Sequence, residues 1–365
     1  MTPRAGRASG GPGSAGPAAG LTRGAAEPVE SHGLASAGLL RAARRLGRGK
    51  QRRAEGRLLA EGPQAVREAL DGGLVEVLLA TPAAAVRHSE LVADGWWEVG
   101  EATMASLADT VTPSGLLAVC RWAPWPASAW EGPAAVTPDT AAAVPARTTE
   151  VDSATPAGTI ETGAAVPAGT IETGAAVPAR TTEVDSATPA GTIESGAAIP
   201  ASRPRDRAAF VVVCDQIRDP GNVGTVLRCA DAFGVDTVVL SHGSVDVTNP
   251  KAVRASAGSL FHLPVVAEAD VTELLPRLRR AGLTVLAADG HGAVDLDELA
   301  RDGTLAGPVA WLLGNEAWGL PAAERALADH VVRIPIPGRA ESLNLAAAAA
   351  VCLHVTAAAR RAVGD

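Results

Sequence analysis

Between residues 208 and 365 the chain repeats one pattern: a short unbroken apolar run, a polar turn, then a segment with apolar residues at helical spacing. The runs lie at 210–214, 237–240, 261–266, 284–288, 309–313 and 331–334. Helical patterns fall around 223–233, 250–257, 271–281, 295–301, 321–328 and 342–360. A run that is apolar at every position belongs to a strand covered on both faces. Such strands alternating with helices predict an α/β domain with a largely parallel sheet and helices on both sides. Ligands meet these sheets at the carboxyl ends of the strands, so the loops after the runs are where chemistry is expected.

The core must be built from Ala, Val and Leu, because aromatic residues make up 3% of the chain and Tyr is absent. Cys120, Cys214, Cys229 and Cys352 form no C-x-x-C pair, and three of them sit in apolar patterns. They read as small hydrophobes in a reducing compartment, not as a disulfide or zinc set. His242, His262, His291, His330 and His354 show no ligand spacing, so no metal is expected. Arg4 and Arg7 are followed by no apolar stretch, so no signal peptide is expected. No uninterrupted apolar run reaches membrane-spanning length; the stretch 343–359 contains His354 and Thr356 and is expected to be a buried C-terminal helix.

Residues 123–207 are of a different kind. Pro145, Pro156, Pro167, Pro178, Pro189 and Pro200 recur every 11 residues. An 11-residue period suits a right-handed helical supercoil. A proline in every unit, beside Gly and β-branched residues, excludes that helix. Each unit also offers only one or two bulky apolar residues, too few for a solenoid. The stretch is expected to be a disordered Pro/Ala/Thr-rich linker, a coil spanning on the order of 50 Å that tethers two domains. Residues 1–38, rich in Gly, Ala, Pro and Ser, are expected to be a disordered tail.

The net charge of −8 would disfavour a nucleic-acid partner, but residues 131–200 alone hold nine acids against two arginines. Net charge bears on partners only where it sits on the binding face. The stretch 41–57 carries eight cations (Arg41, Arg44, Arg45, Arg48, Lys50, Arg52, Arg53 and Arg57) against Glu55. It reads as a solvated helix face or as a phosphate-contacting arm for RNA. Residues 39–122 otherwise suggest a small α/β domain: a strand at 58–60, a helix opened by Pro63, a strand at 75–79, a helix around 102–108 and a strand at 116–122.

Three polar stretches follow apolar runs in the C-terminal domain. In 219–228, Pro220-Gly221 makes a turn, Asn222 can cap a helix, and Arg228 lies opposite the buried stripe of Val223, Val226, Leu227 and Ala230. Gly314-Asn315-Glu316 ends the run 309–313, with Gly319 at the exit turn. Ile334-Pro335-Ile336-Pro337-Gly338 is rigid and extended, and leads to Glu341, Ser342, Leu343 and Asn344 at the start of the last helix, where Ser342 can act as cap. Singly, each has a plain structural reading: a capped turn, a strand-end turn, a helix start. No Walker loop, G-x-G-x-x-G fingerprint or G-x-S-x-G elbow is present.

Jointly and in this order, the three resemble the motifs of the SpoU (TrmH) family of RNA ribose 2′-O-methyltransferases, of the SPOUT superfamily. Asn222-x-Gly224-x-x-x-Arg228 resembles the first motif, Gly314-Asn315-Glu316-x-x-Gly319 the second, and Ile334-Pro335-Ile336 through Ser342-Leu343-Asn344 the third. The match covers about 208–360. Residues 39–122, with Leu59-Ala60-Glu61-Gly62, resemble the family's L30e-like substrate-binding domain; the linker departs from the family.

The resemblance implies a SPOUT-type parallel sheet with a trefoil knot over 208–365, a homodimer, cytoplasmic residence, and S-adenosylmethionine held near Gly314, Ile334 and Leu343. It places Asn222, Arg228, Glu316, Ser342 and Asn344 at catalytic positions. The family mechanism gives proton removal to the first-motif arginine. A guanidinium stays protonated and is a poor base. The residue chemistry better suits Arg228 holding an RNA phosphate and the developing oxyanion, with Glu316 as second candidate base. The expected substrate is RNA, 23S rRNA in preference to tRNA. The competing readings are a catalytically inactive RNA-binding knot protein and an unrelated α/β nucleotide enzyme.

Overall fold

The computed structural model describes residues 31–130, 132 and 209–364. The 11-residue repeats, most of the N-terminal tail and the disorder expected of both lie outside the described residues.

The N-terminal domain opens with helices α1 (Ala37–Arg45) and α2 (Gly49–Glu55), then β1 (Arg57–Glu61), α3 (Pro63–Asp71), β2 (Val75–Ala80), α4 (Pro82–Arg87), β3 (Trp97–Glu98), α5 (Glu101–Leu107) and β4 (Leu116–Arg121). Its four strands run in the order β1-β4-β2-β3. The sheet has one layer of core beneath α1 and α5 and a second beneath α3. The expected elements are present. The tail, however, ends earlier than expected. His32 and Ala35 donate backbone hydrogen bonds to Trp96 and Glu98, and Ser36 caps α1.

After a short strand β5 (Trp125–Pro126), the C-terminal domain follows as β6 (Phe210–Cys214), α6 (Pro220–Ala232), β7 (Thr237–Ser241), α7 (Pro250–Ala255), β8 (Val265–Ala269), α8 (Val271–Arg280), β9 (Thr284–Ala288), β10 (Val294–Asp295), α9 (Leu296–Arg301), β11 (Val309–Leu313), α10 (Ala322–Arg325), β12 (His330–Arg333) and α11 (Leu345–Gly364). Eight strands form one sheet in the order β10-β12-β9-β11-β6-β7-β8-β5, every pair parallel.

The unbroken apolar runs are buried on both faces. In β6, Phe210, Val212 and Cys214 face one core and Val211 and Val213 the other; in β11, Val309, Trp311 and Leu313 alternate with Ala310 and Leu312. Helices α6 and α11 cover the first face, α8 the second. The Trp311 indole donates to Thr356 Oγ1 at 3.0 Å, so the one large aromatic on β11 fixes α11 in place without leaving its N–H unpaired. By length and composition α11 is apolar enough to cross a membrane. It packs on α6, and Arg360 near its end donates to the carbonyls of Ala209 and Gly307 and stacks on Phe210.

Two further expectations are corrected. The run 261–266 is not one strand: residues Ser259–Phe261 form a 3-10 turn after Gly258 at φ 96°, and the strand starts only after Pro264, whose missing N–H delays the ladder. The linker does not begin at 123. Trp125-Pro126 pairs with β8, and Trp130, 2% exposed, joins the second core while Arg277 donates to its carbonyl at 2.8 Å. Burying two indoles outweighs the local Pro and Ala content.

The two domains share one core cluster and a polar seam. Arg52, 4% exposed, pairs with Asp246 at 2.7 Å and also donates to Thr248 and to the carbonyls of Leu46 and Gly47. Of the eight cations in 41–57 it is therefore spent inside the protein, because it falls on the buried side of α2. Arg41, Arg44, Arg45, Arg48, Lys50 and Arg53 are exposed. Elsewhere on the seam His262 bridges Asp231 and Glu68, and Arg254 meets Glu61 and Asp109.

Candidate active site

Helix α6 begins one turn of chain earlier than the sequence suggested. Asp219, not Asn222, is its cap: Asp219 Oδ1 accepts from the Asn222 N–H at 2.9 Å, and Pro220 occupies the first helical position. The Asp-Pro pair was the available signal. Lys251 Nζ sits 2.9 Å from the other carboxylate oxygen, and that hydrogen bond, with the one from Asn222, holds Asp219 below the usual carboxylate range. The consequence is that the Asn222 side chain is free of capping duty. Gly224 faces α7, where a Cβ would lie 2.5 Å from the Ala252 carbonyl oxygen, so only glycine lets the two helices approach this closely.

The loop after β11 is a tight closed turn. Asn315 and Gly319 exchange backbone hydrogen bonds of 3.2 and 2.8 Å, with Gly319 at φ 69°. A Cβ on the buried Gly314 would lie 2.7 Å from Leu320 and from the Gly319 backbone. Asn315 acts as a staple: its amide donates to the Gln216 carbonyl at 2.6 Å and its oxygen accepts from the Ala317 N–H at 2.8 Å. The turn is thereby tied to the loop after β6, on the neighbouring strand. Glu316 is left exposed on its rim.

Past β12, residues 335–343 make no backbone–backbone hydrogen bond among the described residues. The last helix starts at Leu345, and its cap is Asn344, which accepts from the N–H groups of Ala346 and Ala347 at 2.9 and 3.3 Å. Ser342, the expected cap, is exposed and makes no hydrogen bond among the described residues. Ile334 is half-buried against the first core, and Leu343 is exposed.

The three loops meet at Asn222. Its side-chain nitrogen donates to Glu316 Oε1, and its side-chain oxygen accepts from Asn344 Nδ2 at 3.3 Å. An amide can donate and accept at once, which is what the central position between a carboxylate and a second amide demands. Arg228 does not join this cluster. It is exposed, six residues along α6 and so about 9 Å further along the axis, and has no hydrogen bond or ion pair among the described residues.

Beneath the loops lies a carboxyl pair that sequence reasoning missed. Asp215, at the end of β6, accepts from Ser241 at 2.7 Å, and the same hydroxyl accepts from the N–H of Gln216, whose φ is 47°. Asp215 Oδ2 and Glu324 Oε2 are buried with no donor. Burial, then the adjoining Asp215, push the Glu324 carboxyl up to about 7. A proton on Glu324 lets it donate to Asp215 and satisfies both oxygens. Burial likewise pushes the Cys214 thiol up to about 12, so this cysteine packs instead of reacting. Among the described residues no group of three or more His, Cys, Asp or Glu could hold a metal ion.

Residues 209–354 match the family model described as the SpoU rRNA Methylase family, and residues 39–118 match that of the MRM3-like substrate binding domain. A 23S rRNA (uridine(2479)-2′-O)-methyltransferase of Streptomyces viridochromogenes is 40% identical over 148 residues, 39% of this chain and 50% of the relative. The 23S rRNA (guanosine(2553)-2′-O)-methyltransferase RlmP of Bacillus subtilis is 36% identical over 144 residues, 40% of this chain and 56% of its own length. The chain thus spans about half the length of these curated relatives. Over nearly its whole length it resembles a crystal structure of an RNA 2′-O ribose methyltransferase, with a TM-score of 0.59 and 26% identity, covering 90% of this chain and 98% of that one.

Proposed function

We propose that this chain, which carries a SpoU-family methylase domain behind an MRM3-like substrate-binding domain, is an S-adenosylmethionine-dependent RNA 2′-O-ribose methyltransferase acting on 23S rRNA. The observation that carries the reading is the meeting of all three motif segments on Asn222, through Glu316 and Asn344. The two curated relatives described above, which methylate 23S rRNA at a 2′-oxygen, support the substrate class.

The residues fit the cofactor. The backbone of 335–343, unpaired among the described residues, offers N–H and carbonyl groups to an adenosyl ligand. The close turn at Gly314 and the half-buried Ile334 and exposed Leu343 give it an apolar wall. When bound, S-adenosylmethionine supplies an electrophilic methyl group on a sulfonium.

The remaining chemistry belongs to the chain. Asn222, oriented from both sides, holds Glu316 at the mouth of the site. Fixing the ribose there supplies much of the rate, since positioning alone is worth several orders of magnitude. Arg228, a cation with no hydrogen bond or ion pair among the described residues, binds the RNA phosphate and stabilises negative charge growing on the 2′-oxygen. Glu316 accepts the 2′-hydroxyl proton, with the phosphate held by Arg228 as assistant. Ser342 contacts the ribose. The exposed cations of α1 and α2 supply sequence-independent affinity for RNA. The same reading brings a trefoil knot formed by the chain around 334–344, a homodimer and a cytoplasmic location. On α11, Val351, Val355 and Ala359 are only partly buried and Val363 is exposed, apolar surface that a second subunit could cover.

The test is tritium transfer from labelled S-adenosylmethionine to rRNA and tRNA taken from cells lacking the gene, followed by mapping of 2′-O-methyl sites. Incorporation into 23S rRNA at one nucleotide is expected. Label on tRNA alone would move the substrate, and no label on any RNA would end the reading.

A further inference from the structure

We propose that Trp318 and Arg218 form a stacking platform for a nucleobase of the substrate, beside the ribose held at Asn222 and Glu316. The proposal rests on the functional reading above and names a base-binding subsite of the same site.

All seven tryptophans lie among the described residues, and Trp318, 51% exposed, is the one that is exposed. In a chain this poor in aromatics, a tryptophan left in water is a position where burial was available and not used. It does not stand alone. The Arg218 guanidinium lies over its ring, 4.9 Å from the centroid. Arg218 is itself exposed and has no ion pair among the described residues, so its charge is open to a ligand.

Position ties the pair to the site. Trp318 lies two residues past Glu316 in the turn closed by Asn315 and Gly319, which keeps the two Cα atoms within about 7 Å. Arg218 precedes the cap Asp219 of the helix that carries Asn222. The two loops that bring Asn222 to Glu316 are therefore the two that bring Arg218 to Trp318.

The platform is also rigid. The Asn315 staple to the Gln216 carbonyl joins the loops at their roots, and Gln216 is held at φ 47° next to Ile217, which is fully buried. Backbone strain of this kind persists where the surroundings over-determine it, and it gathers at ligand clamps.

The chemistry suits a base. Unstacked bases of RNA are held on aromatic rings and on guanidinium planes. An indole under a guanidinium offers a wide, flat, cationic surface with no sequence code. It would hold a splayed-out base by its face and leave the ribose edge towards Glu316. A second copy of the chain is the rival occupant, since Trp and Arg also anchor subunit contacts. The sharing of loops with the polar cluster favours RNA.

The test uses the full-length protein with Trp318→Ala, Trp318→Phe and Arg218→Ala. Methyl transfer to rRNA from cells lacking the gene is followed at varied RNA concentration. Trp318→Ala is expected to raise KM for RNA about tenfold, the loss of one base–aromatic stack, with kcat little changed. Trp318→Phe should restore most of it, and Arg218→Ala should show a smaller rise. Cofactor affinity by calorimetry and molecular mass by sedimentation should stay as in the wild type. An unchanged KM for Trp318→Ala overturns the platform. So does weakened cofactor affinity, which moves Trp318 to the cofactor, or a changed mass, which assigns it to a subunit contact. If the wild type transfers no methyl, the functional reading fails by itself. Filter binding of the same variants to that rRNA then decides the platform, and equal affinity of wild type and Trp318→Ala overturns it.

Discussion

Asn222 donates its side-chain N–H to the carboxylate of Glu316, 94 positions further along the chain. The hydrogen bond is possible because Asp219 has taken over the helix cap, so the asparagine points outward and not back at its own backbone. Its other end is held by Asn344. A single amide thus sets the mutual position of three loops.

Replacing that amide should misplace the reacting groups without unfolding the domain. Asn222→Ala is expected to lower kcat for methyl transfer about 100-fold, the scale of a small misplacement of reacting groups. Thermal melting should stay close to wild type, because Asn222 is partly exposed and does not cap α6. A kcat within a few-fold of wild type would remove Asn222 from the centre of the site.

Arg228 is exposed and makes no hydrogen bond or ion pair among the described residues. Arg228→Ala should therefore leave the melting temperature unchanged and reduce kcat/KM by about 100-fold or more, as loss of a group that meets developing charge does. Arg228→Lys should recover part of it. Near-normal turnover of Arg228→Ala, with RNA and cofactor bound, would refute the role.

The Asp215–Glu324 pair predicts a pH dependence with a definite sign. The Glu324 carboxyl is raised from the ordinary glutamate value of 4.5 to about 7 in the folded protein, first by burial and then by Asp215. The folded state then binds more protons than the unfolded one between these values, so this group's contribution to stability falls as pH rises through that window. Denaturation midpoints measured from pH 4.5 to 8 should show the decline, and Glu324→Gln, which can donate to Asp215 at every pH, should flatten it. A Glu324→Gln curve parallel to wild type would contradict the shared proton.

Arg52 makes a structural prediction at the seam between the domains. Removing one partner of a buried, hydrogen-bonded ion pair is expected to be strongly destabilising, about 3 kcal/mol. Arg53, 3.6 Å from Asp246, remains as a weaker partner and keeps the loss from being larger. Chemical denaturation of Arg52→Met measures it. Arg48→Met, at an exposed position just before α2, should leave stability unchanged and weaken RNA binding at low salt.

The strands and helices of the C-terminal sheet were legible because their signal is local: the runs at 210–214 and 309–313 are short, apolar at every position and followed by polar turns, the pattern of strands buried on both sides. The failures also have local causes. His262 and Pro264 interrupt the run at 261–266, and the histidine is held by Asp231 and Glu68 instead of lying in a strand. Trp125 and Trp130 sit in a stretch whose prolines and alanines suggested a linker. The site was legible as three motifs and not as a geometry. The resemblance implies that Asn222, Glu316 and Asn344 belong together, but not that Asn222 is the hub, nor that Arg228 stands apart from it. Those facts come from contacts made across 94 and 122 positions, which no local pattern encodes.

The pairing of Trp125 with β8 changes what the repeat segment is. The chain enters it from Trp130, seated in the second core of the C-terminal domain, and leaves it at Ala209, packed on that same core and hydrogen-bonded to Val309 and Arg360. Both anchor points therefore lie on one body, the C-terminal domain, and the step between the two domains is made before Trp125. The relative placement of the two domains is therefore set by the contacts of the seam, Arg52 with Asp246 and His262 with Glu68, and not by how many residues lie between Trp130 and Ala209.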